Sequence, residues 1–123
     1  MQNDKQKFKE NFMKRLVAFS VDIIKFSRNL KQDKFLWPIS SQLIRSASSV
    51  GANVFEAKGS SSRRDYARFF EIALKSSNET KYWFMVIKES TKEFQSDIDN
   101  LYKEIEEISK IIGSSVLTLR DKR

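Results

Sequence analysis

Residues 42–77, QLIRSASSVGANVFEAKGSSSRRDYARFFEIALKSS, decide the fold of this chain. The first part is rich in Ser, Ala and Gly, and the second part carries apolar residues at helical spacing. A short break at residues 59–62 separates the two parts. Because small residues let helix backbones approach closely and an apolar stripe needs a neighbour that covers it, this stretch predicts two helices packed inside a bundle.

The same periodicity extends over the rest of the chain. Apolar residues recur every three or four positions in four segments, which predicts helices at about residues 4–30, 38–57, 62–89 and 97–119. All four are expected to belong to one domain spanning residues 1–123. Since the connectors are short, we expect an all-α, antiparallel, up-down-up-down four-helix bundle.

Local signals mark several of the helix ends. Pro38 suits the first turn of the second helix, where its missing N–H is tolerated. Gly59 is a typical stop signal, and Ser62 resembles an N-terminal cap for the third helix. Ser96, with Asp99 three residues later, resembles a cap for the fourth helix.

The polar connector between the first two helices also contains two aromatic residues, Phe35 and Trp37. We expect them to cover the end of the bundle.

Composition excludes several classes of function. The 123 residues include neither Cys nor His, so the commonest catalytic base, thiolate chemistry and the usual transition-metal ligands are missing. There is no Gly-rich phosphate loop. We therefore predict a protein that is not an enzyme, with no cofactor and no metal site.

No apolar run approaches the roughly 18 residues that a membrane span needs, and the polar N-terminus does not resemble a signal peptide, so the prediction is a cytoplasmic protein.

The net charge of +7 favours a polyanionic partner, an acidic protein surface or simple solubility. Basic residues group on one face of the first helix and on two faces of the third. The candidate nucleic-acid-binding residues are Lys7, Lys14, Lys25 and Arg28 on the first helix, and Arg63, Arg64, Arg68, Lys75 and Lys81 on the third. The alternative is a solvated charged surface with acidic partners one helical turn away.

Three polar residues, Arg45, Asn53 and Glu56, lie in the slim second helix. We interpret them as structural: they are expected to form hydrogen bonds across helices and fix their register, with Arg45 and Glu56 as a partly buried ion pair. Glu56 as a general base is disfavoured, because no second carboxylate, nucleophile or metal ligand lies at a useful spacing.

Apolar residues cover more of the surface of the third helix than packing within a single four-helix bundle would bury. Its second stripe consists of Phe69, Ile72, Trp83 and Val86, and burial in a homo-oligomer is the preferred explanation. Base stacking by Phe69, Tyr82 and Trp83 is the alternative, but aromatic residues at helical spacing more often pack.

The motif SVGANVFEAKG at residues 49–59, followed by SSSRRDYARFFEIAL, resembles the 23S rRNA intervening-sequence protein family, a family of four-helix-bundle proteins. The pattern typical of that family is matched at Gln42, Leu43, Arg45, Ser49, Ala52, Asn53, Glu56, Ser62, Asp65, Tyr66, Arg68, Phe69, Ile72, Ala73 and Ser76. Gly51 replaces the usual proline, Ala57 and Lys58 are inserted, and Lys75 stands near a family glycine.

The resemblance implies an up-down four-helix bundle assembled as a homopentamer with a central channel. A related bundle, the accessory variability protein of diversity-generating retroelements, looks like a basic pentamer that binds a reverse transcriptase and nucleic acid. By this analogy we expect an oligomeric binding module whose basic surface contacts RNA, DNA or a nucleoprotein partner. The alternative is a structural or protein-interaction adaptor that binds no nucleic acid.

Overall fold

A computed structural model describes residues 3–121, and their regular structure is entirely helical. The helices are α1 (Asp4–Leu30), α2 (Trp37–Lys58), α3 (Arg63–Ser90) and α4 (Gln95–Asp121), with a short 3₁₀ helix, Lys34–Leu36, directly before α2. These residues contain no strand, and the four long helices form a bundle, which confirms the prediction of an all-α four-helix protein. Each observed helix end lies within two residues of its expected position.

The core is built from the apolar series that the sequence pattern identifies. In α1 the buried residues follow one another at steps of three or four, as in Phe12, Leu16, Phe19 and Ile23. In α4 the fully buried side chains Ile105, Ile108 and Ile112 repeat the same spacing. One apolar cluster joins residues from all four helices, so each helix is held by its neighbours through a continuous core.

Side-chain caps determine where α1 and α3 begin. The Asn3 side chain accepts a hydrogen bond from the Gln6 N–H at 2.7 Å, and the Ser62 hydroxyl accepts one from the Asp65 N–H at 3.1 Å. Each cap satisfies a backbone donor that has no partner within its helix. The Ser62 cap was predicted from the sequence and is confirmed.

The start of α4 differs from the expectation. The helix begins at Gln95, so Ser96 lies inside it and is not its cap. Phe94 precedes the helix with φ of 64°, a conformation that is unusual for an aromatic residue and that turns the chain before Ser96 is reached. Its ring lies edge-on against Phe26 with the centroids 6.1 Å apart, and this contact anchors the turn.

The connector between α1 and α2 also differs. Phe35 is 92% exposed and Trp37 is 50% exposed, so neither covers the end of the bundle. Leu36, between them, is the residue that is buried in the core. Consecutive residues of a helical segment point in directions about 100–120° apart, so when Leu36 faces inward, Phe35 and Trp37 face elsewhere.

Neighbouring helices are joined by close contacts between small residues. Thr80 of α3 donates a hydrogen bond to Ser46 of α2 at 3.1 Å, and the hydroxyls of Ser49 and Ser76 lie 2.9 Å apart across the same pair of helices. Ser109 of α4 donates to Ser77 of α3 at 2.9 Å. These hydroxyl pairs let α2, α3 and α4 pack closely without leaving the polar groups unsatisfied.

Candidate nucleic-acid interface

Positive charge is concentrated at one end of the bundle. Phe12, Val54, Tyr66 and Ile111, one from each long helix, line a common pocket there. We call the segments around it, residues 3–14, 54–75 and 111–121, the basic end. They contain ten Lys and Arg against six Asp and Glu, a net charge of +4, while the remaining described residues contain 11 basic and ten acidic residues, a net charge of +1. Most of the excess charge of the described chain therefore lies at this end.

The basic end carries a cleft lined by arginines. Arg63, Arg64 and Arg68, all in the first turns of α3, line a cleft of about 700 Å³ together with Leu119 near the end of α4. All three arginines are exposed. A guanidinium group presents several donors in a planar fork that matches phosphate oxygens, so three of them around one concave surface suit a phosphate-bearing ligand.

Two carboxylates also line the arginine cleft, and their effect is limited. Glu71 forms an ion pair with Arg120 of α4, with the charged atoms 3.5 Å apart, so its charge is already balanced. Asp65 lies in the first turn of α3, where the helix dipole favours an acidic residue. The Arg68 guanidinium carbon lies 5.5 Å from the centre of the Phe69 ring, which restricts the orientation of Arg68.

The other predicted basic residues do not join this cleft. Lys75 is exposed two turns farther along α3, and Lys81 is partly buried. Lys7, Lys14, Lys25 and Arg28 are exposed on α1, which packs against α2 and α4, as α3 does. Because α1 and α3 share the same two neighbours, their outer faces point to different sides of the bundle. Lys25 lines a separate pocket with Asp22 and Asp97, away from the basic end.

The polar residues of α2 have different partners from those expected. Arg45 forms its ion pair with Glu79 of α3, while Glu56 is exposed, so the predicted pairing of Arg45 with Glu56 is wrong. The two residues lie 11 positions apart, about 16 Å along a helix, which is too far for an ion pair. The Asn53 amide donates to the Ser49 hydroxyl at 2.9 Å, and Ser49 in turn lies 2.9 Å from the Ser76 hydroxyl, so this chain of hydrogen bonds links Asn53 to α3.

The second apolar stripe of α3 is only partly covered by the chain itself. Phe69 and Trp83 are partly buried and pack against the core, and Val86 is also partly buried. Trp83 donates its indole N–H to Glu79 at 3.1 Å. Ile72 is 39% exposed. Part of the stripe is thus satisfied within one chain, and Ile72 marks the part that remains open.

An ion-pair network that the sequence pattern did not indicate joins α1 to α4. The Arg15 guanidinium donates two hydrogen bonds to the Glu104 carboxylate, at 2.7 and 2.6 Å, and also pairs with Glu107. Hydrogen bonding to Glu104 raises the pKa of Arg15 above its ordinary value, and Arg15 stays charged. The partners are 89 and 92 residues apart in the chain, so helical spacing could not reveal them.

Two further properties follow from the described residues. None of the helices within residues 3–121 combines the length and the apolar character that a membrane crossing requires. The same residues include no group of three or more Asp and Glu side chains arranged to hold a metal ion.

Comparison with known proteins identifies the family of this chain. A search of curated proteins finds no match. A crystal structure of a protein of unknown function from the S23 ribosomal protein family of Bacteroides thetaiotaomicron is similar, with 28% sequence identity and a TM-score of 0.80 over 85% of this chain and 97% of the other. A family model described as 23S rRNA-intervening sequence protein matches residues 9–114, most of the chain. The chain therefore belongs to the 23S rRNA-intervening sequence protein family.

Proposed function

We propose that this protein is a binding module without catalytic activity that contacts nucleic acid, RNA first of all, through its basic end. The observation that carries the proposal is the cleft lined by Arg63, Arg64 and Arg68. The family description, 23S rRNA-intervening sequence protein, names 23S rRNA and so supports RNA as the first ligand to test.

Electrostatics favours this function over a purely solubilising role. Charges that only solubilise a protein can be spread evenly, whereas here one end carries a net charge of +4 and the rest of the described chain carries only +1. A concentrated field attracts polyanions and speeds their association. The concave shape of the arginine cleft lets several guanidinium groups contact neighbouring phosphates of the same backbone.

The test is a binding measurement at several salt concentrations. Labelled single-stranded RNA, duplex RNA and DNA are titrated with the protein by fluorescence anisotropy between about 50 and 200 mM salt. Binding through phosphates should weaken steeply as salt rises, because counterions are released when each phosphate is neutralised. The double variant Arg64→Glu, Arg68→Glu should lose binding while its circular dichroism spectrum remains helical.

A matched control has the same change in charge elsewhere. Lys103 and Lys110 are exposed on α4 and lie outside the arginine cleft. The variant Lys103→Glu, Lys110→Glu should retain most of the affinity. If the wild-type protein binds none of these nucleic acids near 50 mM salt, the proposal fails and the alternative, a structural or protein-interaction adaptor, is favoured. If both double variants lose affinity equally, the arginine cleft is not the site.

We also propose the antiparallel up-down-up-down topology and a homopentamer. The hydroxyl contacts support the topology: Ser46 lies near Thr80 and Ser49 near Ser76, so numbering rises along α2 as it falls along α3. For the pentamer, a closed ring needs two different faces on each copy that fit one another. The open part of the α3 stripe at Ile72 offers one face.

A second apolar face supports head-to-tail assembly. Val17, Val21 and Ile24 recur at helical spacing on α1 and are between 42% and 55% exposed. We propose that this α1 strip packs against the α3 stripe of the next copy. The assembled ring of five 14.4 kDa chains would have a mass of about 72 kDa by light scattering.

Mixing two variants distinguishes a ring from other assemblies. Ile72→Glu removes one face and Val21→Glu removes the other, so each variant alone should be a monomer. Mixed together, they retain one intact pair of faces and should form a dimer of about 29 kDa, twice the 14.4 kDa chain. A wild-type monomer, or a mixture that stays monomeric, contradicts head-to-tail assembly.

A further inference from the structure

The pocket at the basic end has the features of a binding site. It measures about 550 Å³, within the range of sites for small ligands, and all four long helices contribute to it. Four of its lining residues are aromatic: Phe8 and Phe12 from α1, and Tyr66 and Phe70 from α3. We call this cavity the end pocket. Aromatic side chains concentrated around one opening favour a planar ligand over a flexible saturated chain.

The rings of the end pocket form two pairs. Phe8 and Phe12 are nearly parallel, with an interplanar angle of 14° and centroids 6.3 Å apart. Tyr66 and Phe70 are tilted by 44° with centroids 4.9 Å apart. Phe12 and Phe70 are buried, whereas Phe8 is 57% exposed although it lies at a core position of the α1 stripe. Phe8 is therefore the ring with a surface available to a ligand.

Lysines contribute the charged part of the same pocket. Lys5 and Lys9 of α1 and Lys58 of α2 line it, together with one acidic residue, Glu10. Lys58 lies 6.0 Å from the centre of the Phe55 ring, which places its ammonium group beside an apolar surface. A ligand that satisfies both parts of the pocket has a planar apolar body next to a negative charge.

The end pocket and the arginine cleft lie close together on α3. Arg63 and Arg64 precede Tyr66 by less than one helical turn, and Arg68 precedes Phe70 by two residues. A single strand whose phosphates lie along the arginine cleft can reach the end pocket with a neighbouring nucleotide. In a duplex the bases are paired and stacked, so their faces are not available to the aromatic rings of the end pocket.

We propose that the end pocket accepts an unpaired nucleobase, which stacks on Phe8 while the adjoining phosphate contacts Lys5, Lys9 or Lys58. This inference rests on the proposed nucleic-acid binding and adds a specific class of ligand, a single-stranded segment. It also assigns a role to Phe8, whose exposure the core of the bundle does not explain.

The experiment uses a single-stranded oligonucleotide that contains 2-aminopurine, whose fluorescence is quenched when the base stacks. Binding of wild type should quench the probe, and single strands should bind more tightly than duplex of equal length. Phe8→Leu keeps an apolar side chain but removes the aromatic face, so it should weaken single-strand binding by roughly 5- to 100-fold and restore the fluorescence. Phe8→Trp, which keeps the face, should bind and quench as wild type does.

The matched control is Phe35→Leu, the same substitution at a residue that is 92% exposed and outside the end pocket. It should change neither affinity nor fluorescence, and duplex binding should be the same for all three variants. If Phe8→Leu binds and quenches as wild type does, or if Phe35→Leu has the same effect, the end pocket does not hold a base, although the arginine cleft remains supported. If wild type binds no oligonucleotide near 50 mM salt, both proposals fail.

Discussion

The hydroxyl of Thr80 on α3 donates a hydrogen bond to the hydroxyl of Ser46 on α2, and both side chains are fully buried. Ser46 in turn donates to the Leu43 carbonyl, and the single proton of the Thr80 hydroxyl is shared between Ser46 and the Ser76 carbonyl, which lies 2.8 Å away. Buried hydroxyls without partners would destabilise the bundle, so these contacts explain how the Ser46 and Thr80 hydroxyls can lie in the core.

The variant Thr80→Val tests this contact. Valine has nearly the same shape, and Ser46 keeps its bond to the Leu43 carbonyl, so no new buried hydroxyl is left unsatisfied. We expect the free energy of unfolding to fall by about 0.5–1.5 kcal/mol, the usual value for one internal hydrogen bond. Urea denaturation measures it, with Thr80→Ser as the control that keeps the hydroxyl. A valine variant as stable as wild type would show that the bond contributes nothing.

Gly51 lies in the middle of α2, where it faces α1. It belongs to the Ser-, Ala- and Gly-rich stretch that the sequence predicts to pack closely against a neighbouring helix. A Cβ atom at this position would lie 3.5 Å from the Cβ of Leu16 and 3.8 Å from the Ser20 hydroxyl, which are ordinary contact distances. We therefore expect Gly51→Ala to stabilise the protein by about 0.5–1 kcal/mol through its higher helix propensity. Thermal and urea unfolding measure the change.

A larger residue at the same position provides the contrast. Gly51→Leu adds atoms beyond the Cβ toward α1, so overpacking should destabilise the bundle by about 1–3 kcal/mol. If Gly51→Ala is also less stable than wild type, α1 and α2 lie closer together in solution than in this structure, where a Cβ atom on residue 51 would lie 3.5 Å from the Cβ of Leu16.

The helices and most of the core could be predicted because they depend on local patterns. Buried side chains at steps of three or four, such as Leu16, Phe19 and Ile23, are visible in the sequence, as is the Ser62 cap. The cap of α4 was wrongly predicted at Ser96, because Phe94 adopts a positive φ that residue type does not favour and the helix begins at Gln95. A tertiary contact with Phe26 determines this turn, and sequence spacing contains no information about it.

The candidate site could be predicted only in part, for the same reason. Arg63, Arg64 and Arg68 share one cleft because they share the first turns of α3, so their grouping was evident from the sequence. The end pocket is assembled from segments of four helices that lie far apart in the chain, so neither Phe8 nor Lys58 could be recognised as part of it. The partner of Arg45 was likewise assigned within α2, although it lies on α3.

The contact of Arg15 with Glu104 should contribute to stability in a salt-dependent way. About a third of each side chain is exposed, so solvent screens the pair, but the two parallel hydrogen bonds favour it over an ordinary surface ion pair. A double-mutant cycle of Arg15→Met and Glu104→Gln should give a coupling energy of about 0.5–1 kcal/mol at low salt. Near 1 M salt the coupling should fall below half of that value. A coupling of zero at low salt would mean that the Arg15–Glu104 contact does not help to hold α1 against α4.

The partly buried hydroxyl of Tyr66 should make the stability of the fold depend on pH in the alkaline range. Burial raises the pKa of its hydroxyl above the ordinary value of 10.0. The neutral form is therefore favoured in the folded state, and the unfolded chain ionises first as the pH rises. The contribution of Tyr66 should be fully present below about pH 10 and lost as the pH rises through the folded-state pKa. The variant Tyr66→Phe cannot ionise, so the difference in unfolding free energy between wild type and Tyr66→Phe should be constant from pH 6 to 8. Near pH 11 the difference should shift in favour of the variant, because only wild type loses stability through the ionisation of Tyr66. The lysines that also ionise in this range are common to both proteins, so their effect cancels in the difference. An unchanged difference at pH 11 would mean that the Tyr66 hydroxyl is as accessible to water in the folded protein as in the unfolded chain.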